Sequence, residues 1–147
     1  MIKNISNLGD AAIYCDFGSE VNEKTNLSVI SYFNNISRLV QENKISGINN
    51  ITPSYNKLII SFDLTTTNYL EIKDFIVNLE IKDEKKDNPK AIKIAVCCED
   101  EFGLDFNRLT EKLKLTKKQI LELYLNKQYF CYMTGFIAGM PFLGDLN

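Results

Sequence analysis

The chain has 147 residues, of which 45% are hydrophobic and 24% are charged, and its 17 Lys and Arg against 19 Asp and Glu give a formal net charge of −2. This balance excludes binding driven by a large basic surface, so we expect neither nucleic acid nor a membrane as a partner. The absence of histidine excludes a His base, a Ser-His or Cys-His couple and a His metal ligand from this chain. No stretch approaches an apolar signal sequence or the ~20 apolar residues of a membrane span, which predicts a cytoplasmic protein.

The four cysteines are Cys15, Cys97, Cys98 and Cys131, and no pair has the C-x-x-C spacing of redox and zinc sites. We expect reduced thiols packed as small apolar residues. Cys97 and Cys98 would point to opposite faces of a predicted strand, so a disulfide between them is not expected.

Hydrophobic periodicity predicts an α+β domain over residues 1–95. It first predicts a strand at 11–17 and a helix that is capped by Asn22 and ends before Gly47. Two strands follow at 47–54 and 57–63, joined by a hairpin turn at 53–56. A helix at about 67–80, a polar connector at 82–90 and a strand at 91–97 complete the domain. The helix side chains expected to face inward are Leu27, Ile30, Phe33, Ile36, Ile72, Phe75, Ile76 and Leu79. The order β-α-β-β-α-β is the ferredoxin-like arrangement, one antiparallel sheet with both helices on one face.

Residues 96–147 have a different character and are too short for a self-sufficient core. An acidic turn leads to a helix at 105–114 with Phe106, Leu109 and Leu113 inward. A capping-box spacing at Thr116 to Gln119 opens a second helix that runs to Leu125. An aromatic strand at 128–137 and a loop rich in Gly and Pro follow. This part therefore looks like the beginning of a second domain.

Candidate motifs leave two questions open. The acidic residues Glu99, Asp100, Glu101 and Asp105 could hold a hard cation or supply a general acid and base, but without an EF-hand spacing a solvated turn is favoured. The aromatic run of Tyr129, Phe130, Tyr132, Phe136 and Phe142 fits either a binding surface or a barrel-core strand. The chain has no phosphate-binding loop and no Gly-x-Gly-x-x-Gly motif.

Three blocks resemble the KipI family, also called the allophanate hydrolase subunit 1 family or the family of the B-type 5-oxoprolinase subunit. They are GDAAIYCDFG at 9–18, ITPSYNKLIISFD at 51–63, and the long run from IAVCCEDEFGLDFNRL to LTKKQILELYLNKQYFCYMTGFIAGMPFLGDL. The last block is similar to the family pattern Y-x-V-Y-M-x-G-F-x-P-G-[FM]-P-Y-L-G-x-L and is the most specific. Together the blocks cover nearly the whole chain.

The chain departs from the family pattern at four positions. Tyr124 and Lys112 stand where family members carry His, Ala138 replaces a Pro, and Cys98 replaces a Tyr. Family members continue beyond the last block into a cyclophilin-like β-barrel, so residues 96–147 are expected to be an incomplete start of that domain. On this resemblance the chain is truncated at its C-terminus.

The resemblance implies a non-autonomous subunit of an ATP-dependent 5-oxoprolinase, which opens 5-oxoproline to glutamate at the cost of ATP hydrolysis. The partners implied are an allophanate hydrolase subunit 2-type protein, which is the C-type subunit of 5-oxoprolinase, and a LamB-type protein, which is its A-type subunit. ATP would be shared with the partner, and no metal is expected in this chain. The family also includes an inhibitor of a sporulation histidine kinase, and a subunit of a urea amidolyase or allophanate hydrolase system is a third possibility.

No catalytic residue is assigned from the sequence. The candidate substrate or partner groove consists of Glu101, Phe102, Gly103, Asp105, Tyr132, Gly135, Phe136, Gly139, Pro141, Phe142 and Gly144. Within it, the segment from Tyr132 to Leu146 is expected to be the main interaction surface, because its large apolar side chains would face solvent beside an unpaired strand edge.

Overall fold

The computed structural model describes residues 1–82 and 91–144. The described residues divide into two compact units, the first formed by 1–82 with 131–143 and the second by 91–130 with 144. No helix in the described ranges is long and apolar enough to cross a membrane. The predicted polar connector at 82–90 lies, beyond Lys82, outside the described residues, as do the last residues of the predicted interaction segment.

The first 82 residues contain four strands and two helices. They are β1 (Asn4–Asn7), β2 (Ala12–Asp16), α1 (Glu23–Gln41), β3 (Ile48–Pro53), β4 (Lys57–Phe62) and α2 (Tyr69–Val77). Farther along the chain follow α3 (Phe106–Leu113), α4 (Lys117–Leu125), β5 (Phe130–Thr134) and β6 (Pro141–Gly144), of which β5 and β6 pair as a separate two-stranded sheet. The mixed α/β architecture with antiparallel sheets agrees with the sequence-based expectation.

The four-stranded sheet has the order β1-β2-β4-β3, and every neighbouring pair is antiparallel. Along β2 and β4 every second side chain is buried, as expected for a sheet covered on one side. The two helices pack against that face. The core consists of Ile13, Cys15, Phe17, Val29, Ile36, Leu58, Ile60, Phe62, Ile72 and Ile76.

Local signals place these elements where the sequence predicted them. Asn22 caps α1, with its side-chain oxygen accepting the Thr25 N–H at 2.9 Å. The turn between β3 and β4 is closed by the Ser54 N–H, which donates to the Lys57 carbonyl at 2.9 Å. Gly47, after α1, has a φ of +82°, and a Cβ there would lie 2.6 Å from Thr67 Cγ2, so both backbone conformation and space favour glycine.

The predicted inward face of α1 is wrong at its first residue. Leu27 is 47% exposed, whereas Asn26 and Val29 are buried. At 3.6 residues per turn the stripe that continues through Val29 and Ile36 passes through position 26, and Leu27 lies on the other side of the helix. Leu113 of α3, also predicted to face inward, is 50% exposed.

The predicted strand at 91–97 is also wrong. These residues have no regular secondary structure, and Ile92, Ile94 and Val96 are exposed. The sheet edge beside β2 is occupied instead by β1, in which Ile5 lies opposite Cys15. A short connection brings β1 to that edge, and the entropic cost of closing it is lower than for a segment many residues away. The observed order over residues 1–77 is therefore β-β-α-β-β-α.

The second unit combines local helix capping with side-chain contacts between α4 and the turn before α3. The capping box predicted at Thr116 and Gln119 opens α4 and is confirmed. Lys117 pairs with Asp100 and lies over the Phe106 ring, with its Nζ 4.8 Å from the ring centroid. Within these two described helices, α3 and α4, every side chain is at least partly exposed. The strand predicted at 128–137 is shorter, and the sequence reasoning missed β6 altogether.

Candidate functional site

Within the first unit, a buried amide on α1 joins strand β5 of the hairpin to the turn between β3 and β4. The Asn26 Nδ2 donates to the main-chain carbonyls of Tyr55 at 2.9 Å, Ser54 at 3.1 Å and Tyr132 at 3.1 Å. Asn26 is only 1% exposed. The two N–H bonds of this amide serve three carbonyls from two segments, so one N–H is shared, and together they fix the position of β5 against the β3–β4 turn.

Aromatic side chains pack around this attachment. The Tyr55 ring lies 5.3 Å from the Tyr132 ring and 6.3 Å from the Phe142 ring, the latter edge-on. Tyr132 is 2% exposed. The Ser54 hydroxyl donates to Met133 Sδ at 3.5 Å. The base of the hairpin is thus a packed aromatic cluster, which we expect to hold the hairpin rigidly at this end.

The loop between the two strands, residues 135–140, forms the hairpin tip. It is closed by main-chain bonds: the Gly135 N–H donates to the Met140 carbonyl at 3.1 Å, and the Met140 N–H donates to the Ile137 carbonyl at 3.0 Å. Phe136 has a φ of +63° and is 91% exposed. A bulky residue in the left-handed region is uncommon, and backbone strain of this kind concentrates at functional sites.

The surface of the hairpin tip is apolar and uncharged. Phe136, Ile137, Met140 and, in the adjoining strand, Leu143 are exposed. The sequence has no charged side chain from Tyr129 to Gly144, in a chain of which 24% is charged. Such a surface suits the contact core of a protein interface, where charged residues are depleted and aromatic residues and Met are enriched.

The predicted groove residues fall into two groups. Tyr132, Gly135, Phe136, Gly139, Pro141, Phe142 and Gly144 all belong to the hairpin. Glu101, Phe102, Gly103 and Asp105 belong to the second unit. The aromatic run contains both buried and exposed side chains. Tyr132 is buried, as a core strand would require, and Phe136 is exposed, as a binding surface would require.

The group in the second unit has local structural contacts. A Cβ on Gly103 would lie 2.3 Å from the Phe106 ring, so a larger residue there would require that ring to move. Asp105 pairs with Arg108 at 3.0 Å, and both side chains are exposed. Phe102 is 64% exposed. These contacts stabilise the turn before α3.

The acidic residues near this turn are solvated. Asp100 accepts a hydrogen bond from Lys117, which lowers the pKa of that carboxyl group. Among the described residues, no group of three or more Cys, Asp and Glu side chains could hold a metal ion.

In the first unit, the pKa of the Asp16 carboxyl group is also lowered, mainly because Lys57 Nζ donates to it and also because it accepts the Gly18 N–H.

The sequence reasoning missed Asn26 and Tyr55. A signal for Asn26 was present, since it is a polar residue on the apolar stripe of α1, where a side chain is buried and must find a hydrogen-bond partner. Tyr55 lies in the turn at 53–56, where the sequence predicts only a connection between two strands. Of the positions that depart from the family pattern, Ala138 lies in the hairpin tip, and the Tyr124 carbonyl accepts the Tyr129 hydroxyl at 2.8 Å.

Comparison with known proteins gives consistent results. Residues 3–147 match the family model of the carboxyltransferase domain, subdomain C and D. The B-type subunit of 5-oxoprolinase from Bacillus subtilis (strain 168) is 26% identical over 155 residues, which cover 97% of this chain and 63% of that protein. The chain therefore spans less than two thirds of the length of this relative.

Solved structures show the same fold. TTHA0988 in space group P212121 superimposes with a TM-score of 0.76 and 21% identity over 94% of this chain and 26% of that one. Its P6522 form gives a TM-score of 0.71 over 93% and 25%. At this identity the likeness concerns the fold alone. Because the family model matches residues 3–147, the chain belongs to the carboxyltransferase domain, subdomain C and D family, which includes KipI and the B-type 5-oxoprolinase subunit.

Proposed function

We propose that this chain is a non-autonomous subunit of an ATP-dependent 5-oxoprolinase, which converts 5-oxoproline, ATP and water into glutamate, ADP and phosphate. Its family and its relative named as a 5-oxoprolinase subunit support the proposal. The observation that carries it is the hairpin tip, an uncharged apolar surface on a hairpin that is anchored at its base. The partners proposed are an allophanate hydrolase subunit 2-type protein as the C-type subunit and a LamB-type protein as the A-type subunit.

The chemistry of ring opening needs groups that the hairpin tip does not have. A lactam amide is a poor electrophile, and phosphorylation of its carbonyl oxygen turns that oxygen into a good leaving group before water attacks. Transfer of a phosphoryl group depends on positioning and on stabilisation of negative charge. The hairpin tip has no acid, base or cation among its side chains. In this proposal the hairpin tip therefore contributes a contact surface and no reacting group.

The residues of the hairpin do not fit a triphosphate by themselves. Phosphate groups are bound by Lys or Arg side chains and by main-chain amides in glycine-rich loops or at helix N-termini. No Lys or Arg occurs from Tyr129 to Gly144, and the Gly135 and Met140 amides are already donated within the tip. The hairpin therefore does not hold the phosphates. ATP would be shared with a partner protein, and we derive no step of the reaction through ATP on this chain.

Co-expression with both partner proteins tests the proposal. The purified complex should hydrolyse ATP faster when 5-oxoproline is added, and this chain alone should show no turnover. Phe136→Ser should weaken the complex by at least about tenfold, because the apolar area buried by one aromatic ring is worth roughly 1.5–3 kcal/mol. Leu64→Ser is the matched control, since Leu64 is also an exposed apolar residue of the first unit, at 58%.

Three results would separate the possibilities. Turnover by the isolated chain would overturn the non-autonomous role. A complex that forms through Phe136 but shows no 5-oxoproline-stimulated hydrolysis would favour a binding protein of the KipI type, which the apolar and uncharged tip also fits. Full assembly and activity of the Phe136→Ser variant would remove the hairpin tip from the interface.

A further inference from the structure

Two neighbouring thiols lie outside the site described above. The four cysteines all belong to the described residues and are free thiols. Cys15 is buried in the core, and Cys131 is a single exposed cysteine in β5. Cys97 is exposed and Cys98 is partly exposed. The chain thus presents one pair of adjacent, accessible thiols together with two single thiols that serve as internal controls.

We propose that Cys97 and Cys98 form a two-thiolate site for a soft, thiophilic trivalent ion, with trivalent arsenic compounds as the class of ligand. The proposal concerns residues that the proposed function does not use, and it stands or falls independently of that function.

The backbone around the pair permits this arrangement. In a strand, successive side chains point to opposite faces, and two adjacent thiols could not bind one ion. Residues 91–99 instead have irregular backbone and are exposed except at Cys98. Because these residues pair with no strand within the described part of the chain, no sheet holds the two side chains on opposite faces.

The spacing favours a bridging atom over a direct disulfide. Neighbouring Cα atoms are about 3.8 Å apart across a trans peptide. Disulfides usually need a Cα separation of roughly 4.4–6.8 Å, so a bond between adjacent cysteines is strained. An arsenic atom between the two sulfurs enlarges the ring and relieves that constraint.

The binding step balances without an oxidant. With an organic arsenic(III) oxide, two As–S bonds form and the arsenic–oxygen bond breaks. The oxygen leaves as water with the two thiol protons, and arsenic remains trivalent. Thiolate sulfur is a soft ligand, which suits a soft ion. Once the first As–S bond exists, the second forms within one molecule, and linked binding of this kind gains roughly 10²–10⁴ in affinity.

The other cysteines lack one requirement each. Cys131 has no second cysteine beside it in sequence, so it can form only one As–S bond, which a monothiol can displace. Cys15 is fully buried, and burial raises its pKa to about 12, which disfavours the thiolate. Stable capture should therefore be confined to the adjacent pair.

Phenylarsine oxide is the probe. The full chain is treated with it, washed with excess 2-mercaptoethanol to remove singly bound reagent, and analysed by intact mass and by alkylation of the remaining thiols. We expect one phenylarsenic group per chain, with Cys97 and Cys98 protected from alkylation and Cys131 alkylated. Cys97→Ser and Cys98→Ser should each weaken binding by at least about 100-fold. Cys131→Ser is the matched control and should bind as the unaltered chain does.

Peptide mapping of the unaltered chain keeps the test independent of how the variants fold. Protection of Cys131, or alkylation of both Cys97 and Cys98 after treatment, would overturn the proposal. Unchanged binding by Cys97→Ser or Cys98→Ser would do the same.

Discussion

The side-chain amide of Asn26 donates a 3.1 Å hydrogen bond to the main-chain carbonyl of Tyr132, a residue 106 positions farther along the chain. The same amide bonds the carbonyls of Ser54 and Tyr55. One side chain on the first turns of α1 thereby joins a turn of the four-stranded sheet to the hairpin. The position of the candidate interaction surface depends on this polar contact as well as on aromatic packing.

Asn26→Ala should destabilise the first unit. The substitution removes the two N–H donors that the three carbonyls share, and the loss of a buried hydrogen bond costs about 1–3 kcal/mol. We expect a loss of that size in the free energy of unfolding, measured by urea titration with tyrosine fluorescence, since the chain has no Trp.

Asn34→Ala is the matched control, because Asn34 lies exposed on the same helix. Its effect should stay within about 0.5 kcal/mol, as for most surface substitutions. Equal urea midpoints for the two variants would show that the Asn26 contact does not stabilise the fold.

The elements that the sequence predicted correctly are those with strong local signals. The strand at Ala12–Asp16, the hairpin of β3 and β4 and the capped helices α1, α2 and α4 each combine apolar periodicity with a cap or turn residue. Local interactions suffice to specify such elements. The buried side chains Phe62 and Ile76 follow from the same periodicity.

The errors occur where tertiary context decides. The strand β1 has the sequence NISN, with a single apolar residue, and its place at the sheet edge depends on pairing with β2. Residues 91–97 have the apolar pattern of a strand but no pairing within the described residues. β-Propensity expresses fit to a neighbouring strand, which a single sequence does not specify. For the site, the apolar hairpin tip is predictable from composition. The burial of Asn26 is indicated by its place on the apolar stripe of α1, whereas its bond to the Tyr132 carbonyl, 106 positions away, is not.

The ion pair of Asp16 and Lys57 should make stability depend on pH in acid. Lys57 Nζ donates to Asp16 Oδ1 and, at 2.7 Å, to the Gly18 carbonyl. The hydrogen bond from Lys57, followed by that from the Gly18 N–H, lowers the pKa of Asp16 in the folded state. A lowered folded pKa means that the contribution is present above the unfolded value, about 3.9, and is lost as the pH falls through the folded value.

Asp16→Asn should therefore reduce the free energy of unfolding at pH 7, and its difference from the unaltered chain should shrink as the pH falls below about 4. Urea titrations between pH 2 and 7 measure this, with Asp10→Asn as a control for the change in net charge at an exposed site. A difference that is constant over the whole range would contradict an ionised Asp16 in the folded state.

The buried thiol of Cys15 should be protected from reagents in the folded chain. Burial raises its pKa to about 12, and the thiolate is the reactive form. With a chromogenic disulfide reagent at pH 8, we expect fast reaction at Cys97, Cys98 and Cys131 and slow reaction at Cys15. In urea all four should react at similar rates.

The raised pKa of Cys15 also predicts that the free energy of unfolding falls at alkaline pH. Because the folded pKa of Cys15 lies above the unfolded value of about 8.5, its contribution is complete below that pH and declines as the pH rises toward 12. Cys15→Ala should lessen this decline, although the cavity it leaves will lower stability at every pH. Fast labelling of Cys15 in the folded chain would contradict its burial.

Replacement of Phe136 by glycine should raise the free energy of unfolding and weaken partner binding. Its φ of +63° places a side chain with a Cβ in the left-handed region, which costs roughly 1–2 kcal/mol relative to glycine. Its ring is 91% exposed, so the isolated chain gains little from keeping it. Phe136→Gly should therefore raise the free energy of unfolding by up to about 1 kcal/mol, with the greater freedom of glycine in the unfolded chain offsetting part of the gain.

Phe136→Ala separates the backbone from the ring, since alanine keeps the Cβ and removes the aromatic side chain. We expect the alanine variant to unfold at nearly the same urea concentration as the unaltered chain and the glycine variant at a higher one. Both should bind the co-expressed partner at least about tenfold more weakly, because each loses the exposed ring. If Phe136→Ala raised the free energy of unfolding as much as Phe136→Gly did, removal of the exposed ring would explain the gain, and backbone strain would not. If both variants bound the partner normally, Phe136 would be strained without taking part in recognition.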